Sequence, residues 1–128
     1  MLLDTSFLID LQRELGSGRG RGAQRFLQRY ARATVWISLV TWMEFAEGYP
    51  PDQEDHCRLF LSQFPLILPD VKTAWRAAQI SRLLRSSGKT IADHDLWLAA
   101  TALQRNLALV TRNRRHFVHI AELNILEY

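Results

Sequence analysis

Two rhythms of apolar residues run along the chain: short compact runs, and longer stretches in which they return every three or four positions. Met1–Leu3 is a short run ending at Asp4, which reads as a first strand. From Thr5 to Leu15, Phe7, Leu8, Leu11 and Leu15 fall at helical spacing. The run Gly16-Ser17-Gly18-Arg19-Gly20-Arg21-Gly22 then breaks the pattern as a loop between helices. An arginine–glycine loop serves as a flexible connector or as a contact to RNA backbone. Helix returns over Ala23–Arg32 with Phe26, Leu27 and Tyr30 inward, and the β-branched and aromatic run Val35–Ser38 reads as a buried strand. Ser38 suits the N-cap of a helix over Leu39–Glu47 that Gly48 stops, with Pro50 and Pro51 beyond.

The second half repeats the scheme. Asp52–Phe64 reads as a helix, Leu66–Leu68 as a short strand between prolines, and Val71–Ser87 as a long helix ending at Gly88, with Trp75, Ala78, Ile80, Leu83 and Leu84 inward. His94–Arg105 is apolar nearly all round, which predicts burial on two sides. Leu107–Val110 forms a fourth strand and Ile125–Leu126 a fifth, at the edge. Short strands alternating with helices require crossovers, and crossovers give a parallel sheet covered on both faces. The expectation is a three-layer α/β/α fold with a short parallel sheet of four or five strands, forming one domain over residues 1–128.

Composition adds little to this and excludes much. Hydrophobic residues make up 48% and charged residues 23% of the chain, the balance of a soluble globular protein. No apolar run reaches the roughly 18 residues that span a membrane, and MLLDTSFLID lacks the basic start of a signal peptide. A lone cysteine, Cys57, excludes an internal disulfide and points to a reducing cytoplasm. The net charge is +3, and the basic set is 14 Arg against Lys72 and Lys89. Arginine's planar fork suits phosphate and base contacts, so the bias leans towards a nucleic-acid partner.

Three acids stand where a parallel sheet binds ligands, outside the carboxyl ends of its strands. Asp4 ends the first strand, Glu44 lies on the helix after the second, and Asp95 opens the apolar helix before the fourth. Each neighbours sequence that must be buried, no lysine adjoins any of them, and an unpartnered acid there costs several kcal/mol. A hard divalent cation such as Mg²⁺ would relieve that cost. Other roles remain open. Asp4 suits a helix cap, Asp95 a favourable first-turn acid, Asp93 the cap of that same helix, and Glu44 with Glu47 a solvated face. No phosphate-binding loop, dinucleotide turn or nucleophile elbow is present, and His56, His94, His116 and His119 lack zinc-site spacing.

Four motifs in order then become recognisable. They are Leu3-Asp4-Thr5-Ser6-Phe7-Leu8-Ile9-Asp10, Ile37-Ser38-x-x-Thr41-x-x-Glu44-Phe45-x-x-Gly48, Asp95-Leu96-Trp97-Leu98-Ala99-Ala100-Thr101-Ala102 and Leu109-Val110-Thr111-Arg112-Asn113-x-x-His116-Phe117. Across essentially its whole length the chain resembles a PIN domain of the VapC toxin type. The resemblance implies a Mg²⁺-dependent endoribonuclease, with Mn²⁺ able to substitute, that acts on single-stranded or looped RNA as a homodimer. It also implies a small antitoxin that covers the site. Asp4, Glu44 and Asp95 match the family's first three acids and its metal site. Thr5, Ser6 and Thr111 match positions that shape that site. A fourth acid commonly follows the last strand, and here Asn113 and His116 stand in its two usual positions. Asn113 offers an amide oxygen without charge. Arg112, Arg114 and Arg115 follow directly and suit substrate phosphates, or else form a solvated basic loop. A non-catalytic α/β module that binds nucleic acid or protein is the alternative to the enzyme.

Overall fold

A computed structural model describes residues 1–128. Five short strands make a wholly parallel sheet in the order β3-β2-β1-β4-β5. They are β1 (Leu2–Leu3), β2 (Trp36–Ser38), β3 (Leu66–Ile67), β4 (Leu109–Val110) and β5 (Ile125–Leu126). Successive side chains of a strand face opposite sides, and the sequence uses both. Leu2, Leu109 and Ile67 join Ala77, Ile80, Leu84, Leu98 and Phe117 in one core. Leu3, Ile37 and Val110 join Phe7, Leu11, Phe26, Phe45 and Cys57 in the other. Two cores back to back across a sheet give the three layers expected.

Helices α1 (Thr5–Ser17), α2 (Gly22–Arg29), α3 (Leu39–Glu47) and α4 (Glu54–Leu61) cover the second core. Helices α5 (Val71–Ser86) and α6 (Asp93–Gln104) cover the first. Residues 98–102 of α6 are all buried, and its alanines let α5 pack closely against it. Ser38 caps α3 through the Thr41 amide at 3.0 Å.

The helix patterns needed three corrections. On α5 the buried stripe is Thr73, Ala77, Ile80 and Leu84, whereas Trp75, Ala78 and Leu83 face outward. Both sets keep helical spacing and share Ile80 and Leu84, and in the first turns the smaller Thr73 and Ala77, not Trp75, match the alanine face of α6. At the end of α1, Leu15 is exposed and Glu14 is buried in its stead, because Glu14 accepts bonds from the backbone of α2. Asp93 does not cap α6: Ala92 holds the cap position without a side-chain bond, and Asp93 is an exposed acid in the first turn. Two expected boundaries also shift. Helix α2 ends at Arg29, and Pro51–Gln53 forms a separate 3₁₀ turn ahead of α4.

Candidate active site

Strand order decides where the site lies. From β1 the chain steps outward to β2 and β3, then returns to place β4 and β5 on the other side of β1. The crossovers leave β1 in opposite directions, and the crevice opens outside the carboxyl ends of β1 and β4. Asp4 follows β1 and Thr111 follows β4.

Asp4 holds the centre of the arrangement. It is the N-cap of α1, and its Oδ1 accepts the Thr5 amide at 2.7 Å. Its Oδ2 accepts from the hydroxyls of Ser6 at 2.9 Å and Thr111 at 2.6 Å. The cap and the buried site acid are thus one residue. Thr5 bridges to the next acid, its hydroxyl donating to Glu44 Oε2 at 2.5 Å. Glu44 Oε1 also accepts from His94 Nδ1 at 2.9 Å, which joins α3 to the start of α6. Asp95, in the first turn of α6, faces His116 Nδ1 at 3.1 Å. Burial pushes the Asp95 carboxyl above its usual range. The neighbouring imidazole of His116 pulls the other way, and the charges of Asp4 and Glu44 add to the rise. Asp95 therefore senses both other acids, and the three share one neighbourhood.

The residues after β4 divide. The Asn113 amide N–H donates to the Thr111 hydroxyl at 2.9 Å, which fixes the turn. His116, not Asn113, meets the acids. Arg112 points away from them, its Nη1 donating to Asp10 Oδ2 at 2.5 Å. Arg114 and Arg115 are exposed and form no ion pair. Sequence reading missed three participants. His94 stood out only as a histidine without zinc spacing, Asp10 lies beyond the site acids along α1, and Tyr128 is 118 positions from its partner. Tyr128 donates to Asp10 Oδ2 at 2.9 Å and packs edge-on against Phe7. Burial raises its hydroxyl pKa. Asp10, Arg112 and Tyr128 clamp α1, the β4 turn and the C-terminal segment together behind Asp4.

No three Asp, Glu, His or Cys side chains are arranged as they stand to hold a metal ion. The donor set of Asp4, Glu44 and Asp95 is nevertheless all hard oxygen, and Mg²⁺ takes one or two carboxylates with water completing its shell. The residues fit such an ion. The apolar concavity between α5 and residues 119–122, about 140 Å³ and lined by Ile80, Leu83 and Ile120, includes none of these acids.

Comparison with known proteins agrees with this geometry. The family profile described as PIN domain matches residues 1–123. The chain belongs to the PIN domain family. It is 30% identical over 129 residues to Ribonuclease VapC1 of Methanocaldococcus jannaschii, covering all of this chain and 86% of that protein. Among solved structures, a toxin–antitoxin complex from Klebsiella pneumoniae aligns with TM-score 0.74 and 30% identity, over 98% of this chain and 94% of that one. DNA-bound VapBC from Salmonella typhimurium aligns with TM-score 0.79 and 27% identity, over 98% and 96%. No helix of this PIN domain is long and apolar enough to cross a membrane.

Proposed function

We propose that this PIN domain is a Mg²⁺-dependent endoribonuclease, with Mn²⁺ able to substitute, and the toxin of a toxin–antitoxin pair. The observation that carries this reading is the gathering of Asp4, Glu44 and Asp95 at the β1–β4 crevice of a chain similar end to end to a named ribonuclease. Asp4 and Asp95 would hold the ion, directly or through water, and Glu44 would complete its shell or orient the attacking water. An ion bound there supplies Lewis-acid polarisation of the scissile phosphate and a nucleophile usable at neutral pH.

The chain's own residues do the rest. Ser6 and Thr111 fix both rotatable bonds of Asp4 through its Oδ2, and Thr5 fixes Glu44 relative to Asp4. Asn113 would have only a neutral amide oxygen to offer, and Arg114 and Arg115 are free to take phosphates of the substrate strand. Arg112, expected among the phosphate ligands, is engaged by Asp10 and acts on the site by holding the turn that carries Thr111. A small antitoxin covering the crevice, a homodimer and a cytoplasmic location complete the reading. The similarity to VapBC complexes supports the antitoxin.

The test is cleavage of a labelled RNA by purified protein freed of any partner, with Mg²⁺, with Mn²⁺ and with EDTA. Thermal melting is followed in the same three buffers. Metal-dependent cleavage together with metal-dependent stabilisation is expected. Neither effect in a folded protein would leave a binding module in which the acids only cap and bridge helices.

A further inference from the structure

The charge of this chain is unevenly placed. Between Leu15 and Met43 it carries Arg19, Arg21, Arg25, Arg29 and Arg32 and no acid or lysine at all. All five are exposed, and none takes part in any ion pair of the structure. Of the other arginines, Arg58, Arg76, Arg105 and Arg112 have a carboxylate partner, while Arg13, Arg82, Arg85, Arg114 and Arg115 have none, so what sets the five apart is that they follow one another with no acid between.

The glycine-rich loop that carries Arg19 and Arg21 and leads into α2 is anchored at its base. Glu14 is buried and accepts the Ala23 and Gln24 amides, both at 3.0 Å, so the acid nearest in sequence is spent on the backbone and forms no ion pair. Gly20 has φ +73 and lies against the Glu14 side chain, a conformation that a residue with a Cβ rarely adopts. Helix α2 runs back along α1: Glu14 near the end of α1 meets Ala23, while Phe7 near its start meets Phe26 at 5.6 Å between ring centroids. Its inner face is Ala23 and Phe26. On the outside Arg21, Arg25 and Arg29 recur every four residues, about 6 Å apart along the axis. Arg21 and Arg25 line a polar concavity of about 210 Å³ with Gly18, Gln24 and Gln28, and no hydrophobic side chain enters it.

We propose that this arginine face of α2 is a second RNA-binding surface, one that grips backbone phosphates of a folded RNA outside the cleavage crevice. Arg21 and Arg25 over a polar groove, with Arg29 one turn further on and its guanidinium over the Tyr30 ring at 5.7 Å, match a chain of phosphates, and their reach is sequence-independent. The face begins at the end of α1 remote from Asp4, about 20 Å along that helix, and extends to the level of Phe7. An RNA spanning both surfaces must extend well beyond the cut site, so a short oligonucleotide reaches the crevice alone. This rests on the ribonuclease reading for the identity of the ligand, and not on the metal.

The test uses the triple variant Arg21→Gln, Arg25→Gln, Arg29→Gln, with all three changes on the surface and Asp4, Glu44 and Asp95 intact. Binding of a labelled RNA stem-loop and of a labelled trinucleotide is measured in EDTA across a salt series. Stem-loop affinity should fall, and the slope of log affinity against log salt should flatten by roughly 2 to 3, about 0.7 to 0.9 for each phosphate that is no longer neutralised. Trinucleotide binding should not change. With Mn²⁺ present, KM for the stem-loop should rise while kcat holds. The variant Arg21→Lys, Arg25→Lys, Arg29→Lys should restore most of the slope. An unchanged stem-loop slope in a protein that still cleaves RNA overturns the proposal and leaves the ribonuclease reading standing. No metal-dependent cleavage by wild type sinks that reading, while the EDTA binding data still decide the surface. Loss of binding to a poly-glutamate peptide, with RNA binding untouched, would assign the face to an acidic protein partner and overturn the proposal.

Discussion

Asp4→Asn and Asp95→Asn should both cut cleavage steeply, while only the first should cost stability. Asparagine caps helices about as well as aspartate, so the Thr5 amide keeps an acceptor in Asp4→Asn. The trouble lies at Oδ2, which takes both hydroxyl bonds. An amide NH₂ there would force Ser6 and Thr111 to accept instead. Thr111 is fully buried and its oxygen already accepts the Asn113 amide, so its own proton would lose its acceptor. An orphaned buried donor costs about 1–3 kcal/mol. At roughly 2.1 cal/mol/K per residue, a chain of this length loses about 4 °C of Tm for each kcal/mol, so a cost near 2 kcal/mol lowers Tm by about 8 °C. Asp95 has no such donors. Burial and the charges of Asp4 and Glu44 disfavour its ionised form, and only His116 opposes them. Metal-free Asp95→Asn should therefore melt no lower than wild type. Both variants should lose the stabilisation expected of Mn²⁺ in wild type, and cleavage should drop on the order of 10²- to 10³-fold, the several kcal/mol a catalytic metal would contribute. The assay is calorimetric melting with and without Mn²⁺ beside single-turnover cleavage. An undiminished Tm in Asp4→Asn, or a large fall in Asp95→Asn, would refute the energetic reasoning. Full cleavage by either folded variant would refute the site.

Other consequences can be checked with less effort. His116→Asp should tighten Mn²⁺ binding in the RNA-free protein and Asn113→Asp should do so less, because His116 is the residue that faces Asp95; equal calorimetric affinities would contradict this. Tyr128→Phe removes one of two bonds to Asp10 but keeps the packing on Phe7, so it should cost about 1 kcal/mol and lower kcat more than it raises KM. A kcat identical to wild type would show that the clamp does not reach the site. Asp70 caps α5, and its bonds from the Thr73 amide and hydroxyl hold its carboxyl below the ordinary 3.8. Its contribution is fully present above that value and vanishes as pH falls through the lower folded-state pKa. In acid, Asp70→Asn should lose less stability than wild type as pH falls, and parallel Tm-against-pH curves would contradict it.

Much of this was legible in the residues. Runs such as Leu2-Leu3 and Leu109-Val110 are buried on both faces, so they lack alternation and read as parallel strands. Asp4, Glu44 and Asp95 drew notice because each stands beside apolar sequence expected inside; Leu2, Leu3, Phe45 and Leu98 are buried there, whereas Met43 is exposed. What escaped the reading depends on pairing across distance. Nothing near Asp10 in sequence announces Arg112 or Tyr128, over a hundred positions away. Likewise, the choice between Trp75 and Ala77 as the inner side of α5 is made by the alanines of α6, in another helix. Glu14 looked like a surface acid because its partners are backbone amides, which leave no trace in composition.

The same network changes the physical case for the metal. On sequence alone, three buried acids without a lysine called for a cation to offset their cost. The structure supplies other relief. Asp4 takes three donors, Glu44 takes Thr5 and His94, Asp95 takes His116, and no buried polar side-chain atom lacks a partner. Hydroxyls and imidazoles are mobile, modest donors, and none of them is a permanent counter-ion. A lysine in any of those places would bring a fixed positive charge and compete with a dication for the same oxygens. These donors offset the cost of the acids without an ion, and would leave the carboxylates open to one. The residual strain gathers at Asp95, the acid raised by burial and by its two neighbours. That is where a cation would gain most, because it removes a repulsion which the protein's own donors leave only partly compensated.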